Sequence, residues 1–322
     1  MNGSVRSSAG LVWRHQRIIW WVFFVNLVLA WLSSLPARAT LSTVLDHSLQ
    51  SARFVTGFDV AEFFVMLARP DVVPGSLTST VFGAGVVFFV YLLFIDGGIF
   101  AVYLDDRKLS RSEFFENSGL FFWRMLRLAL YSLIPFAIPA AINGGIASWA
   151  GKLSDDAPQD KLGFFVNAGG KLLFVLIFLF VRLWFDLAQA RVVRDNERKV
   201  LRTVWRSLKL AFRSGKLYAS YLGIALFSAA AFSVCAVVWV YLPHRAMGAS
   251  FLVLELLTII LISTRLWMKA ASARWVALIP GEVFAVAPLA PPVVDTTVKP
   301  VEAVPVTDEQ QPPTPPESQV SE

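Results

Sequence analysis

Apolar positions in this chain run together rather than alternate. Six stretches of eighteen residues or more are largely apolar: about 18–35, 80–104, 122–145, 164–188, 217–242 and 251–270. Each is long enough, as a helix, to cross a hydrocarbon core about 30 Å thick. Transmembrane strands would instead alternate over segments of about ten residues, a pattern the sequence lacks. Backbone groups in lipid must be paired within their own segment, which makes these spans helices. The expected fold class is all-α, an integral membrane bundle of six transmembrane helices occupying residues 1–279.

The segments between the spans add amphipathic pieces. Val200, Leu201, Val204, Trp205, Leu208 and Phe212 recur at helical spacing, with Arg194, Arg198, Lys199, Arg202, Arg206, Lys209 and Arg213 around them. A basic helix with an aromatic-bearing apolar face lies in the membrane interface against anionic headgroups. These seven cations are therefore the candidate lipid-headgroup contacts. A smaller linker, 109–117, offers Leu109, Phe114 and Phe115 in the same manner. The long connection 37–79 contains an apolar run at 60–68 that predicts a short interfacial helix ended by Pro70. Residues 280–322 hold ten Pro and seven acidic residues against one Lys. That composition buries no core and predicts a disordered, Pro-rich acidic tail.

Charge sets the expected orientation. Lys and Arg total 20 in the N-terminus, the loops after the second and fourth spans and the end of the sixth, against six in the opposite loops. The positive-inside rule then places both termini in the cytoplasm. The net charge of +6 is thus a footprint of topology and does not suggest nucleic acid. Ala37-Arg38-Ala39 after a basic start and an apolar run has the form of a signal-peptide cleavage site, but the run is longer than an ordinary signal core. Cys235 is alone, so there is no disulfide framework.

A repeat runs through the spans. Arg182-Leu-Trp-Phe-Asp186 to Arg191 near the end of the fourth matches Arg265-Leu-Trp-Met-Lys269 to Arg274 near the end of the sixth, as RLWxxxAxAR. Ser118-Gly119 with 128–132 matches Ser214-Gly215 with 224–228. Trp13-Arg14 to Arg17 matches Trp123-Arg124 to Arg127, and Asp96 with Asp105 parallels Asp186 with Asp195. Three repeated helical hairpins, formed by spans 1–2, 3–4 and 5–6, are the expectation.

Catalytic signatures are missing: no G-x-S-x-G, H-E-x-x-H, P-loop or paired cysteines occur. The three histidines are scattered over separate loops, so no catalytic residue, metal site or cofactor is expected. Ionisable groups at membrane depth carry the sharper signal, because each costs several kcal/mol and normally faces a partner or a cavity. The candidate intramembrane polar cluster is Asp96, Arg182, Asp186, Arg265 and Lys269; Lys171 and Glu255 are further charges in the spans. Arg182 and Arg265 lean toward the N-termini of their helices, away from the near boundary. That favours pairing within the bundle, with Asp186 one turn from Arg182 as a partner and Asp96 pairing across hairpins. Two readings follow: a static ion-pair belt, or a polar cavity for an anionic headgroup, a solute or a proton. Asp96-Gly97-Gly98 allows close helix approach, and Pro135 and Pro139 predict kinks in the third span.

The span end from Asp186 followed by the basic amphipathic helix to Arg213 resembles a group of uncharacterised bacterial six-span proteins. Some of these are similar to the membrane domain attached to glycerophosphodiester phosphodiesterases. The resemblance covers the spans alone; the soluble catalytic barrel of those enzymes is absent, and no catalytic residue carries over. It implies a multi-pass protein of a bacterial inner membrane. The reading of the whole is a non-enzymatic accessory or scaffold protein contacting anionic lipids and a membrane or cytoplasmic protein partner. The alternative is a small transporter or lipid-handling protein with a charged intramembrane cavity.

Overall fold

The computed structural model describes residues 2–45, 75–107, 109–156, 161–242 and 247–279. Over these residues the chain forms α1 (Asn2–Arg14), α2 (Arg17–Leu45), α3 (Gly75–Asp105), α4 (Arg111–Asp156), α5 (Lys161–Arg194), α6 (Val200–Arg213), α7 (Gly215–Tyr241) and α8 (Met247–Ala277). Six of them, α2 to α5, α7 and α8, are long and apolar enough to cross a membrane. Each expected span coincides with one of the six, to within a residue at Leu242. The run 60–68 and the tail 280–322 lie outside the described residues.

Large apolar side chains cover the outside: Phe82, Ile134, Phe164 and Phe165 are each at least two-thirds exposed. In water such a surface would drive association; against acyl chains it meets a solvent as apolar as itself. The protein is a helical membrane bundle. Its packed interior is concentrated toward the end of the bundle where α3, α5 and α8 finish. There Ile99, Phe100, Leu183, Leu187, Tyr221 and Val276 are sealed from solvent.

Close approach of α3 and α4 depends on glycine. A Cβ on Gly98 would stand 2.5 Å from Ser118 Oγ and 2.9 Å from the Phe114 carbonyl oxygen, and one on Gly97 would stand 2.9 Å from Phe121 Cβ. Residues 111–117 of the segment 109–117, expected as a separate linker helix, are instead the opening of α4. Ser110 and Glu113 form a capping box: the Ser110 hydroxyl accepts from the Glu113 amide (3.2 Å) and Glu113 Oε2 accepts from the Ser110 amide (2.8 Å). That box starts the helix at Arg111, and no proline interrupts it before the span. The helix assignment of α4 continues through Pro135 and Pro139, as membrane helices allow when neighbours satisfy the freed backbone.

The repeat is visible in three dimensions. Asp106 (φ 49°) and Asn196 (φ 47°) occupy matching positions just beyond α3 and α5, where short polar side chains tolerate the left-handed backbone that ends a helix. Matching arginines bind them: Arg14 donates to Asp106 at 3.0 Å and Arg124 to Asn196 at 2.6 Å. The first hairpin therefore belongs to the repeat. Its match extends further upstream, where Ser8 aligns with Ser118 and Ser214, and all three are buried. Helix α1, which the sequence pattern did not reveal, is thus the counterpart of the opening of α4 and of α6. Each repeat consists of a short amphipathic piece followed by a hairpin.

Contacts run in a cycle through the three. Phe94 of α3 stacks on Phe115 at the start of α4, with ring centres 6.3 Å apart. At the matching position of α5, Trp184 Nε1 donates to the Val204 carbonyl in α6 (2.8 Å), and in α8 Trp267 Nε1 donates to Ser8 Oγ in α1 (3.0 Å). The second helix of each repeat thus holds the opening piece of the next, and the third closes on the first. Leu11, Val12, Ile19 and Val22 are buried in this closure, so cleavage at Ala37-Arg38-Ala39 would strip part of the core.

Candidate functional site

Where α3, α5 and α8 meet, their matching positions carry charge. Asp96 sits on α3, Arg182 and Asp186 on α5, Arg265 and Lys269 on α8. The structure brings all five to the wall of one cleft of about 430 Å³. Lys171 and Glu255 do not line it.

Two ion pairs within the cleft join the repeats. Arg265 grips Asp186 with both arms, Nη1 to Oδ2 at 2.6 Å and Nη2 to Oδ1 at 2.7 Å. The Asp186 carboxylate is 1% exposed and also accepts from the Tyr221 hydroxyl at 2.8 Å. With Tyr221 donating, Ser272 donates in turn to the tyrosine oxygen at 2.5 Å. Sequence reasoning did not select Tyr221 or Ser272, because neither carries formal charge and a lone tyrosine in an apolar run reads as core. Lys269 pairs with Asp96, both almost fully buried, and its ammonium lies over the Phe100 ring at 5.7 Å. The Gln189 side-chain amide donates to Asp96 Oδ2 at 3.4 Å.

The expectation that Arg182 would pair with Asp186 does not hold. Those two share one helix, whereas Arg265 approaches from α8 and presents its planar fork to both carboxylate oxygens. The repeat makes the consequence plain. Arg182 and Arg265 occupy the same position, and Arg265 binds the aspartate of the preceding repeat. The corresponding partner for Arg182 is Asp96, which Lys269 has taken. Lys269 itself stands where the first two repeats have Asp96 and Asp186, and Leu92 stands where the others have arginine. Arg182 is left with no hydrogen bond or ion pair among the described residues. Three cations against two carboxylates give the cleft a surplus of one positive charge.

Apolar side chains complete the cleft, among them Val22, Phe88, Phe89, Phe136, Leu261 and Ile262. Phe89 is 51% exposed, so one wall continues into the lipid-facing surface. Gln189 Oε1 is shielded and without a hydrogen-bond partner among the described residues, leaving an acceptor beside the charged end. The arrangement suits an anion attached to an apolar body.

No family model, curated protein or solved structure matches this chain.

The expected headgroup contacts lie around α6. Arg198, Lys199, Arg202, Lys209 and Arg213 are exposed, and Arg206 is half-buried 3.8 Å from Glu197. Arg194 is engaged elsewhere: it donates to Asp195 at 2.7 Å, to the Ile279 carbonyl at 3.1 Å and to that of Val276, satisfying carbonyls at the end of α8. The apolar face of α6 divides. Val200, Val204 and Ala211 are buried on the bundle, while Leu201, Trp205 and Phe212 are more than half exposed.

Proposed function

We propose that this is a non-enzymatic lipid-handling membrane protein that holds the anionic headgroup of an amphiphile in its intramembrane cleft. Arg182 is the group that binds it. The observation that carries the reading is an arginine at membrane depth, facing a cleft, with no hydrogen bond or ion pair among the described residues although its repeat counterpart has one. An unpaired cation there is costly, and an anion in the position of the missing carboxylate removes that cost. The apolar wall reaching the lipid-facing surface at Phe89 favours a ligand that enters from the bilayer with its chain against that wall. The scaffold role suggested by the basic loop concerns other residues and is compatible with this one. The distribution of Lys and Arg favours both termini facing the cytoplasm, and the resemblance of the 186–213 segment to bacterial six-span proteins suggests an inner membrane.

The test is native mass spectrometry of the full chain purified in mild detergent, with and without added phosphatidylglycerol or free fatty acid. One retained anionic amphiphile per chain is expected in the wild type. Arg182→Gln should lose it while eluting as a folded monodisperse peak. Equal retention by folded Arg182→Gln, or no retained anionic species in the wild type, rules the reading out.

A further inference from the structure

The end of α5 carries a second cationic pocket, distinct from the cleft. Arg191 lies nine residues beyond Arg182, or about two and a half helical turns, so the two side chains leave opposite faces of α5. A pocket of about 310 Å³ is walled there by Arg191, Arg194, Arg206 and Lys209, with Asp195 and Glu197 between them. Both carboxylates are engaged. Asp195 accepts from Arg194 at 2.7 Å, and Glu197 accepts the Thr203 hydroxyl at 2.6 Å and faces Arg206 at 3.8 Å. Arg191 and Lys209 are left without a hydrogen bond or ion pair among the described residues, and Arg191 Nε is shielded from water with nothing to donate to.

The repeat again shows what is missing. Arg191 matches Arg274, the last arginine of RLWxxxAxAR, and Arg274 donates to Asp106 of the next repeat in the cycle at 3.3 Å. Carried one step round, the acceptor for Arg191 falls at Ile279, which has no carboxylate and whose carbonyl Arg194 already occupies. We infer that this pocket binds a phosphate group, with Arg191 as its main ligand, flanked by Lys209 and Arg206. Charge selects phosphate: four cations against two carboxylates leave two positive charges, which a phosphate monoester at about −1.5 to −2 balances. Arginine's rigid fork matches phosphate oxygens in pairs. The exposed Trp205 and Phe212 of α6 set the pocket beside the membrane surface, within reach of a lipid phosphate or of one in solution.

Two arms distinguish these sources, both using the full chain in nanodiscs. In phosphatidylcholine discs, sodium phosphate is compared with sodium chloride at matched ionic strength. In the second arm, phosphatidic acid is doped into the discs. Thermal stabilisation is read in each. A response to inorganic phosphate identifies a soluble phosphate as the ligand, and a response confined to phosphatidic acid identifies a lipid headgroup. Both arms use the Arg182→Gln background, so that the intramembrane cleft contributes nothing to the response, and in either arm adding Arg191→Gln should weaken it roughly tenfold, the loss of one charge-assisted contact. Lys209→Gln, on an exposed face, replaces Arg191→Gln if that variant does not fold. No response in either arm, or an undiminished response in the pocket variant, overturns the proposal. Because Arg182 is replaced throughout, neither outcome bears on the intramembrane cleft.

Discussion

Replacing Arg265 and Arg182 by leucine, one at a time, places the same substitution at two matching positions of the repeat and should give opposite results. Arg265→Leu strands the Asp186 carboxylate, 1% exposed, with the Tyr221 hydroxyl as its remaining donor. Removing one partner of a buried pair costs about 3–5 kcal/mol. The Arg265 side chain is itself 30% exposed, which draws the expectation toward the lower end, about 3 kcal/mol. Arg182→Leu strands nothing, because Arg182 has no hydrogen-bond or ion-pair partner among the described residues. An arginine near the middle of a span is disfavoured by about 2.5–3.5 kcal/mol on insertion scales. Its replacement should therefore be neutral, or stabilising by up to about 2 kcal/mol in ligand-free detergent. The assay is reversible unfolding in mixed micelles, titrating dodecyl sulfate into a mild detergent and following tryptophan fluorescence and helicity together. If Arg182→Leu destabilises as much as Arg265→Leu, Arg182 has a structural partner and the unpaired cation is an error.

Other substitutions probe the same network. Lys269→Met frees the Asp96 carboxylate for Arg182 and removes the surplus charge of the cleft. Retention of an anionic amphiphile should then fall roughly tenfold with Arg182 intact, measurable by native mass spectrometry. Tyr221→Phe deletes the hydroxyl shared by Asp186 and Ser272 and should cost about 1–3 kcal/mol in the micelle titration, without the full loss seen for Arg265→Leu. Gly98→Ala forces a methyl against Ser118 Oγ and the Phe114 carbonyl, and should lower stability by about 1–3 kcal/mol through separation of α3 from α4. Asp106→Asn weakens the anchor that Arg14 and Arg274 share. Because that anchor is substantially exposed, the loss should stay below about 1 kcal/mol and diminish in high salt.

Long apolar runs left little freedom about the spans, because a segment in lipid has few ways to satisfy its backbone. The five charges of the cluster stood out for the same reason: at depth, ionisation is costly wherever it occurs. Their pairing was less accessible. Helical spacing set Asp186 beside Arg182, but whether an arginine on another helix would reach Asp186 first depends on how the three hairpins pack. The repeat held that information once its contacts were placed, through Arg14 with Asp106, Arg124 with Asn196, and the aromatic series Phe94, Trp184 and Trp267. Helix α1 went unrecognised because it is short and polar in its first half, and its link to α6 rests on Ser8, a residue with no pattern of its own. The fusion of 111–117 into α4 followed from the Ser110–Glu113 capping box, a local signal present in the sequence.

The central claim is that Arg182 holds an anion contributed by a ligand. A cryo-electron microscopy map of the full chain in nanodiscs containing phosphatidylglycerol tests it most directly. The account predicts headgroup density within hydrogen-bond distance of the Arg182 guanidinium, an acyl chain running along Phe89 and Phe136, and Lys269 still on Asp96. A cleft holding only water, or Arg182 turned onto Asp96 with Lys269 displaced, would contradict it.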